Sequence, residues 1–136
     1  MKKSITSIGK QPLIVEMSGN EFWGRVDIHN NLIVDSASSL EALKNKLKKV
    51  INEIENVEIN DFDVSFDLTS FFEEYSFLNI SDIAKRANVS SLMMRQYSSG
   101  SKYPSEDRVK QIELAIREIG KELSKVKLHK KHREYA

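Results

Sequence analysis

The sequence predicts an α+β chain, a small β-β-β-α-β unit followed by an all-α unit. Three observations predict it. Phe22, Gly24, Val26 and Ile28 alternate with Trp23, Arg25 and Asp27, the period-two pattern of a half-buried strand. Leu40, Leu43, Leu47, Val50, Ile51 and Ile54 recur at helical spacing and form one apolar stripe. Leu78 to Ser105 reads as two short helices joined by a tight turn, then a loop that reaches Pro104.

The elements follow in order. Pro12-Leu13-Ile14-Val15-Glu16-Met17 is a β-prone run, and Ser18-Gly19-Asn20-Glu21 is turn chemistry, so the first two strands form a hairpin. His29-Asn30-Asn31 turns the chain again, and Leu32-Ile33-Val34 makes a third strand. Ser38-Ser39-Leu40-Glu41 is a capping-box signature that opens a helix, with Lys44, Lys46, Lys48 and Lys49 largely outside its apolar stripe. Asn56 to Asn60 breaks that helix. Phe62-Asp63-Val64-Ser65-Phe66-Asp67-Leu68 alternates strictly and makes the fourth strand. The expected product is a small antiparallel sheet with one helix on its inner face.

In the second half, Ile83, Ala84 and Ala87 face inward on the first short helix, and Val89 plugs the turn. Asn88 sits where the chain reverses, and its short polar side chain tolerates the left-handed region. Ser90 caps the second helix, Met94 and Tyr97 return to the core, and Gly100 ends it. Ser105, Glu106 and Asp107 open a third helix that complements its dipole and runs to Leu123 despite Gly120, with Val109, Ile112 and Ile116 inward. Val126-Lys127-Leu128 alternates and is read as a short strand at a dimer interface.

This layout is a helix-turn-helix, which seats its second helix in the DNA major groove. Ser91, Leu92, Arg95 and Gln96 are expected to project toward that groove beside the capping Ser90. Gln96 suits bidentate reading of adenine, Arg95 guanine or phosphate, and Leu92 a thymine methyl. Ser99, Ser101, Lys102 and Tyr103 are expected near phosphates. Leu92 and Met93 are greasy for an exposed recognition helix; the other reading is a helix that meets protein or serves dimerisation.

The run Ile83-Ala84-Lys85-Arg86-Ala87-Asn88-Val89-Ser90, then Ser91 to Ser98, then Ser99-Gly100-Ser101-Lys102-Tyr103-Pro104-Ser105, resembles the lambda-repressor-like (Cro/XRE-type) helix-turn-helix family without a gap in register. Asn88 stands for the family's turn glycine, Tyr97 for its usual large apolar residue and Ser98 for a common acid. The first half resembles the N-terminal domain of HicB antitoxins, described as a partial RNase H-like fold. Val15-Glu16, Gly19-Asn20-Glu21-Phe22-Trp23 and Asp35-Ser36-Ala37-Ser38-Ser39-Leu40-Glu41-Ala42 carry that likeness. The family's Pro-Asp-Leu-Pro-Gly-Cys segment is replaced here by His29-Asn30-Asn31-Leu32. Val109 to Leu123 is similar to the end of the helix-turn-helix branch of that family.

The resemblance implies an antitoxin of a HicA/HicB-like system. Residues 1–68 would bind and neutralise a HicA-like basic ribonuclease toxin. Residues 69–128 would repress the chain's own operon by binding operator DNA, and 129–136 form a basic tail. A homodimer or higher even oligomer reading a palindrome is expected. The other reading keeps the regulator but gives the first half a different partner or ligand.

Charge agrees with that division. Residues 1–68 hold 8 basic and 11 acidic side chains, a net −3, whereas 69–136 hold 13 and 9, a net +4. An acidic half suits a basic protein, and a basic half suits phosphates. The chain has no cysteine, so disulfides and thiol catalysis are excluded, and a cytoplasmic location is expected. No run approaches the roughly 20 apolar residues of a membrane span, and MKKSITSIGK lacks the apolar core of a signal peptide. A nuclease of the RNase H type needs several carboxylates converging on metal. Glu16, Glu21, Asp27 and Asp35 are read instead as solvated strand charges, His29 as a turn residue, and His129 and His132 as part of the tail. No enzyme activity, cofactor or metal is expected.

Overall fold

The computed structural model describes residues 6–132. The chain is α+β. Four strands, β1 (Thr6–Ser18), β2 (Glu21–Ile28), β3 (Asn31–Ala37) and β4 (Val57–Phe66), enclose the helix α1 (Leu40–Glu55) in sequence. Four helices follow: α2 (Leu68–Glu74), α3 (Ile80–Ala87), α4 (Ser91–Ser99) and α5 (Glu106–Ser124).

The sheet order is β3-β2-β1-β4. Both hairpin turns have two residues, and their backbone signs fit the strand twist. Gly19 at φ 60 ahead of Asn20 gives the sign pattern of a type II′ turn. His29 at φ 52 and Asn30 at φ 62 give type I′. The sheet is mixed rather than antiparallel: β4 runs parallel to β1, from Thr6↔Val57 to Val15↔Phe66. Strand direction here is set by the crossover through α1, which joins one sheet edge to the other and covers one face on the way.

β1 begins six residues before Pro12, so it is longer than its β-prone run. It pairs with β2 only from Ile14 to Ser18. Pro12 would next face Asp27 and has no N–H to give. Gln11 donates its side-chain Nε2 to the Asp27 carbonyl at 3.1 Å instead. Upstream, β1 pairs with β4 alone. β4 starts at Val57, because Asn56 at φ 54 ends α1 in a single left-handed residue. The helix thus breaks at Asn56, within the expected segment, and Val57 to Asn60 already belong to the strand. The β1–β4 ladder skips Gly9 and Asn60, and the inward alternation resets there, with Ile59 and Phe62 both buried.

Two hydrophobic cores result. In the first, Leu40, Leu43, Leu47 and Ile51 of α1 pack on Leu13, Val15, Phe22, Val26, Ile28, Ile33, Val57, Ile59 and Phe62. Gly24 lets the helix come close: a Cβ there would sit 3.0 Å from Leu13 Cδ1 and Leu43 Cδ2 and 3.1 Å from Leu47 Cδ1. Val50 is only partly buried, and Ile54, expected on the same stripe, is 68% exposed. The last turn of α1 is fixed by Glu55, which accepts from Asn31 Nδ2 at 2.8 Å and pairs with His29 at 3.0 Å. The helix cap is Ser39, which accepts from Ala42 N at 3.1 Å, so the expected Ser38–Glu41 box does not form.

The second core gathers Phe72, Ile83, Ala84, Ala87, Val89, Met94, Tyr97, Ile112 and Ala115. Ile116 is partly buried, and Val109, expected inside, is 38% exposed and lines an open cleft with Phe66 and Leu68. Helix α2 follows β4 after the single residue Asp67, which caps it by accepting from Ser70 N at 2.8 Å. Asp67 N–H donates to the Val15 carbonyl at 3.1 Å, and fully buried Ser70 bonds Val15 O and Asp67. Val126 to Leu128 is not a strand; both apolar residues are exposed. Residues 133–136 of the expected tail lie outside the described residues.

Candidate nucleic-acid interface

The pair α3–α4 is built from caps. Asn79 accepts from Asp82 N at 3.1 Å and starts α3. Asn88 ends it at φ 57, and the Val89 N–H reaches back to Ala84 O at 2.9 Å. Gln111 of α5 donates to Ala87 O at 2.5 Å, so the carbonyl at the end of α3 is tied to the third helix. Ser90 accepts from Met93 N at 3.1 Å and opens α4. Its hydroxyl is thus engaged in the cap.

Helix α4 is held by its inner face. Met94 and Tyr97 are buried, Met93 is half-buried against the same core, and Thr69 of α2 donates to Tyr97 O at 3.0 Å. Gly100 follows at φ 81 with Thr69 Oγ1 3.4 Å from where a Cβ would stand. Of the two greasy residues in this helix, only Leu92 faces out, 69% exposed.

The outer face presents Ser91, Leu92, Arg95 and Ser99 side by side. Gln96 sits at the boundary of that face and is half-buried, not fully outward. The spacing places it about 40° from Leu92 and about 100° from Arg95 around the helix. Beyond the helix, Ser101, Lys102 and Tyr103 are exposed. Ser99 and Ser101 turn their hydroxyls onto the Gln96 carbonyl at 3.2 and 3.3 Å and lie 3.1 Å from each other. The Lys102 N–H reaches the same carbonyl at 3.2 Å. These bonds close the end of α4 and fix the loop that carries Lys102 and Tyr103.

Arg95 and Lys102 form no ion pair among the described residues. Arg86 is committed elsewhere, 2.8 Å from Glu122. That hydrogen bond and its charge raise the Arg86 pKa and lower that of Glu122. The surface therefore offers one free cation on a capped helix and a second on the loop that follows it, next to small polar groups and one apolar side chain. Such a set can bond anionic oxygens and base edges.

The carboxylates weighed for metal chemistry do not converge. Glu16 pairs with Arg25 at 3.2 Å, and Asp35 lies 3.1 Å from Lys46. Partial burial pushes the Asp35 carboxyl up, but the Ser36 N–H and the Lys46 ammonium outweigh it and hold its pKa below the ordinary value. Among the described residues no three His, Cys, Asp or Glu side chains are grouped to hold a metal ion. No helix among them is long and apolar enough to cross a membrane.

Two surfaces were not singled out from the sequence. An apolar groove of about 440 Å³ runs between α2 and the end of α5, lined in part by Phe71, Tyr75, Phe77, Ile119 and Leu123. The face of the sheet opposite α1 exposes Ile14, Trp23, Leu32 and Val34 around the Arg25–Glu16 pair. The alternation of Trp23 against Val26 and of Leu32 against Ile33 carried the second signal. No family model matches the chain, and no curated protein or solved structure matches it.

Proposed function

We propose that this chain is a DNA-binding regulator of its own operon, an antitoxin type of protein whose sheet half neutralises a basic ribonuclease of the HicA kind. The observation that carries the DNA reading is the outer face of α4. Arg95 on that face and Lys102 in the loop just after it have no ion-pair partner among the described residues, and the other face of the helix is anchored by Met94 and Tyr97. Cations with no internal ion pair to break are available to neutralise phosphate, and the neighbouring Ser91, Leu92 and Gln96 would serve to contact base edges. Ser90, Ser99 and Ser101 act by shaping the helix ends rather than by offering free hydroxyls.

The toxin-binding part rests on the likeness of residues 12–68 to HicB domains and on the net −3 of residues 1–68. A net negative half would speed encounter with a basic nuclease. The chain acts by covering its partners, not by catalysis, and works inside the cytoplasm as an even oligomer. The test is co-expression with the product of the adjacent gene, followed by a pull-down and by binding of the upstream DNA in fluorescence anisotropy. Co-purification with a small basic protein and nanomolar, salt-sensitive DNA binding are expected. DNA binding without a protein partner would favour a stand-alone regulator. Failure to bind the upstream duplex would refute the reading of α4.

A further inference from the structure

The two edges of the sheet are treated differently by the sequence. Open strand edges invite pairing with another chain, and folded proteins blunt them with charge, bulges or cover. β4 is blunted: Glu58, Asp61 and Asp63 line it, its ladder is interrupted at Asn60, and Lys48 donates to the Asn60 carbonyl at 3.0 Å. β3 has none of this along Leu32-Ile33-Val34.

The register says which backbone groups are open. A two-residue hairpin closes on the hydrogen-bonded pair Ile28↔Asn31, and bonded and non-bonded pairs then alternate. Asn31, Ile33, Asp35 and Ala37 therefore point their N–H and C=O groups into the sheet. Leu32, Val34 and Ser36 point theirs outward. The Ser36 carbonyl is already taken by Lys46 Nζ at 2.5 Å. Leu32 and Val34 keep both groups free, and their side chains are 61% and 51% exposed on the open face, beside Trp23.

We infer that β3 is a self-pairing edge: a second copy of this chain lays its own β3 antiparallel against it, about a two-fold axis at Ile33. Leu32 of each copy then faces Val34 of the other, and each such pair exchanges two backbone hydrogen bonds. The apolar side chains adjoin on the open face. On the side facing α1 the contact gathers one cation with two carboxylates and an amide. The pairing sets Asn31 of one copy opposite Asp35 of the other. Asn31 is held by Glu55, and Asp35 lies 3.1 Å from Lys46. Glu55 of each copy thus approaches both Asp35 and Lys46 of the other, the ammonium offsetting the two carboxylates, twice over the interface. A surface that carries both halves of its own complement is what a two-fold contact requires. The inference does not depend on the DNA reading, since it uses the opposite end of the sheet from α2.

The experiment uses the full chain. Mass by light scattering is compared for wild type, Val34→Pro and Val34→Lys. Proline at position 34 removes only an outward N–H, so the β2–β3 ladder within the chain is kept; circular dichroism checks that both variants fold. Each variant is expected to show half the wild-type mass at a concentration where wild type is paired. Register is read by disulfide formation, since the chain has no cysteine of its own. Directly opposed residues in a bonded antiparallel pair lie about 5.5 Å apart at Cα, within disulfide reach, whereas diagonal neighbours lie about 7–8 Å apart. A mixture of Leu32→Cys and Val34→Cys chains is expected to cross-link several-fold more than either variant alone. A wild-type monomer, an oligomer whose mass both variants leave unchanged, or equal cross-linking of the single variants would overturn the proposal. A monomer whose edge is blocked only on adding the adjacent gene product would assign β3 to that protein instead.

Discussion

Gly24 is where the sheet and α1 come closest, and replacing it with alanine tests whether that approach is set by the absent side chain. The added methyl would stand 3.0–3.1 Å from three leucine methyls, each belonging to a side chain with no exposed surface. The leucine ends must give by a few tenths of an ångström inside a core closed to solvent. Overpacking of this kind costs about 1–3 kcal/mol. The loss of unfolded-state freedom on Gly→Ala offsets about 0.4–1 kcal/mol of that. The expected net loss is about 1 kcal/mol. Urea unfolding read by Trp23, the chain's one tryptophan and half-exposed on the same strand, follows it directly. The double variant Gly24→Ala/Leu43→Ala sharpens the argument. Leu43→Ala alone leaves a cavity and costs about 2–5 kcal/mol. In the Gly24→Ala background the new methyl occupies part of that cavity, so the double loss is smaller than the sum of the singles. A raised urea midpoint for Gly24→Ala, or strict additivity in the cycle, would refute the reasoning.

Arg95→Ala is expected to weaken upstream-DNA binding and to reduce the slope of log affinity against log salt by roughly 0.9 if its contact is to phosphate; an unchanged slope and affinity would remove Arg95 from the interface. Gln96→Ala is expected to lose about 1–3 kcal/mol at one base-pair position, read by anisotropy on single-base operator variants. Tyr97→Ala should loosen the second core and lose DNA binding together with the cooperative melting of the helical half, whereas Arg95→Ala melts like wild type. The His29 and Asn31 hydrogen bonds hold the Glu55 carboxyl below its ordinary pKa of 4.5, against a smaller upward push from burial. A carboxyl whose pKa is lowered on folding contributes stability that is complete above its unfolded pKa and lost as pH falls through the folded one. Glu55→Gln should accordingly flatten the stability profile below about pH 4.5 and leave it parallel to wild type near pH 7.

Much of the fold was legible because local chemistry and tertiary structure agree. Ser90, Ser105, Gly100 and Asn88 do at the helix ends what their side chains favour in isolation. What escaped was non-local. The direction of β4 depends on a crossover, and alternation is the same in a parallel and an antiparallel strand. Thr6 to Gln11 has one neighbour strand and little burial, so no apolar period marks it. Leu68–Glu74 is two turns long, too short for a stripe to declare itself. Ile54 and Val109 carry the right spacing, but Ile54 is left exposed and Val109 borders an open cleft, which spacing alone does not reveal. For the candidate interface, the direction of Leu92 and Arg95 followed from helical spacing. The use of the Ser99 and Ser101 hydroxyls on the Gln96 carbonyl did not, since it depends on how the loop folds back.

The passage from β4 to α2 through Asp67 alone has a mechanical meaning. On the proposed reading the chain has two partners, and a flexible tether would let each end search for its own independently. Here the joint has no slack: one residue turns the corner, and both it and Ser70 are bonded to the Val15 carbonyl in the middle of the sheet. The angle between sheet and helices is inherited from the fold rather than sampled. A duplex held at one end and a protein held at the other would then meet at a fixed geometry. Whether both fit at once becomes a question of shape, decided before either arrives.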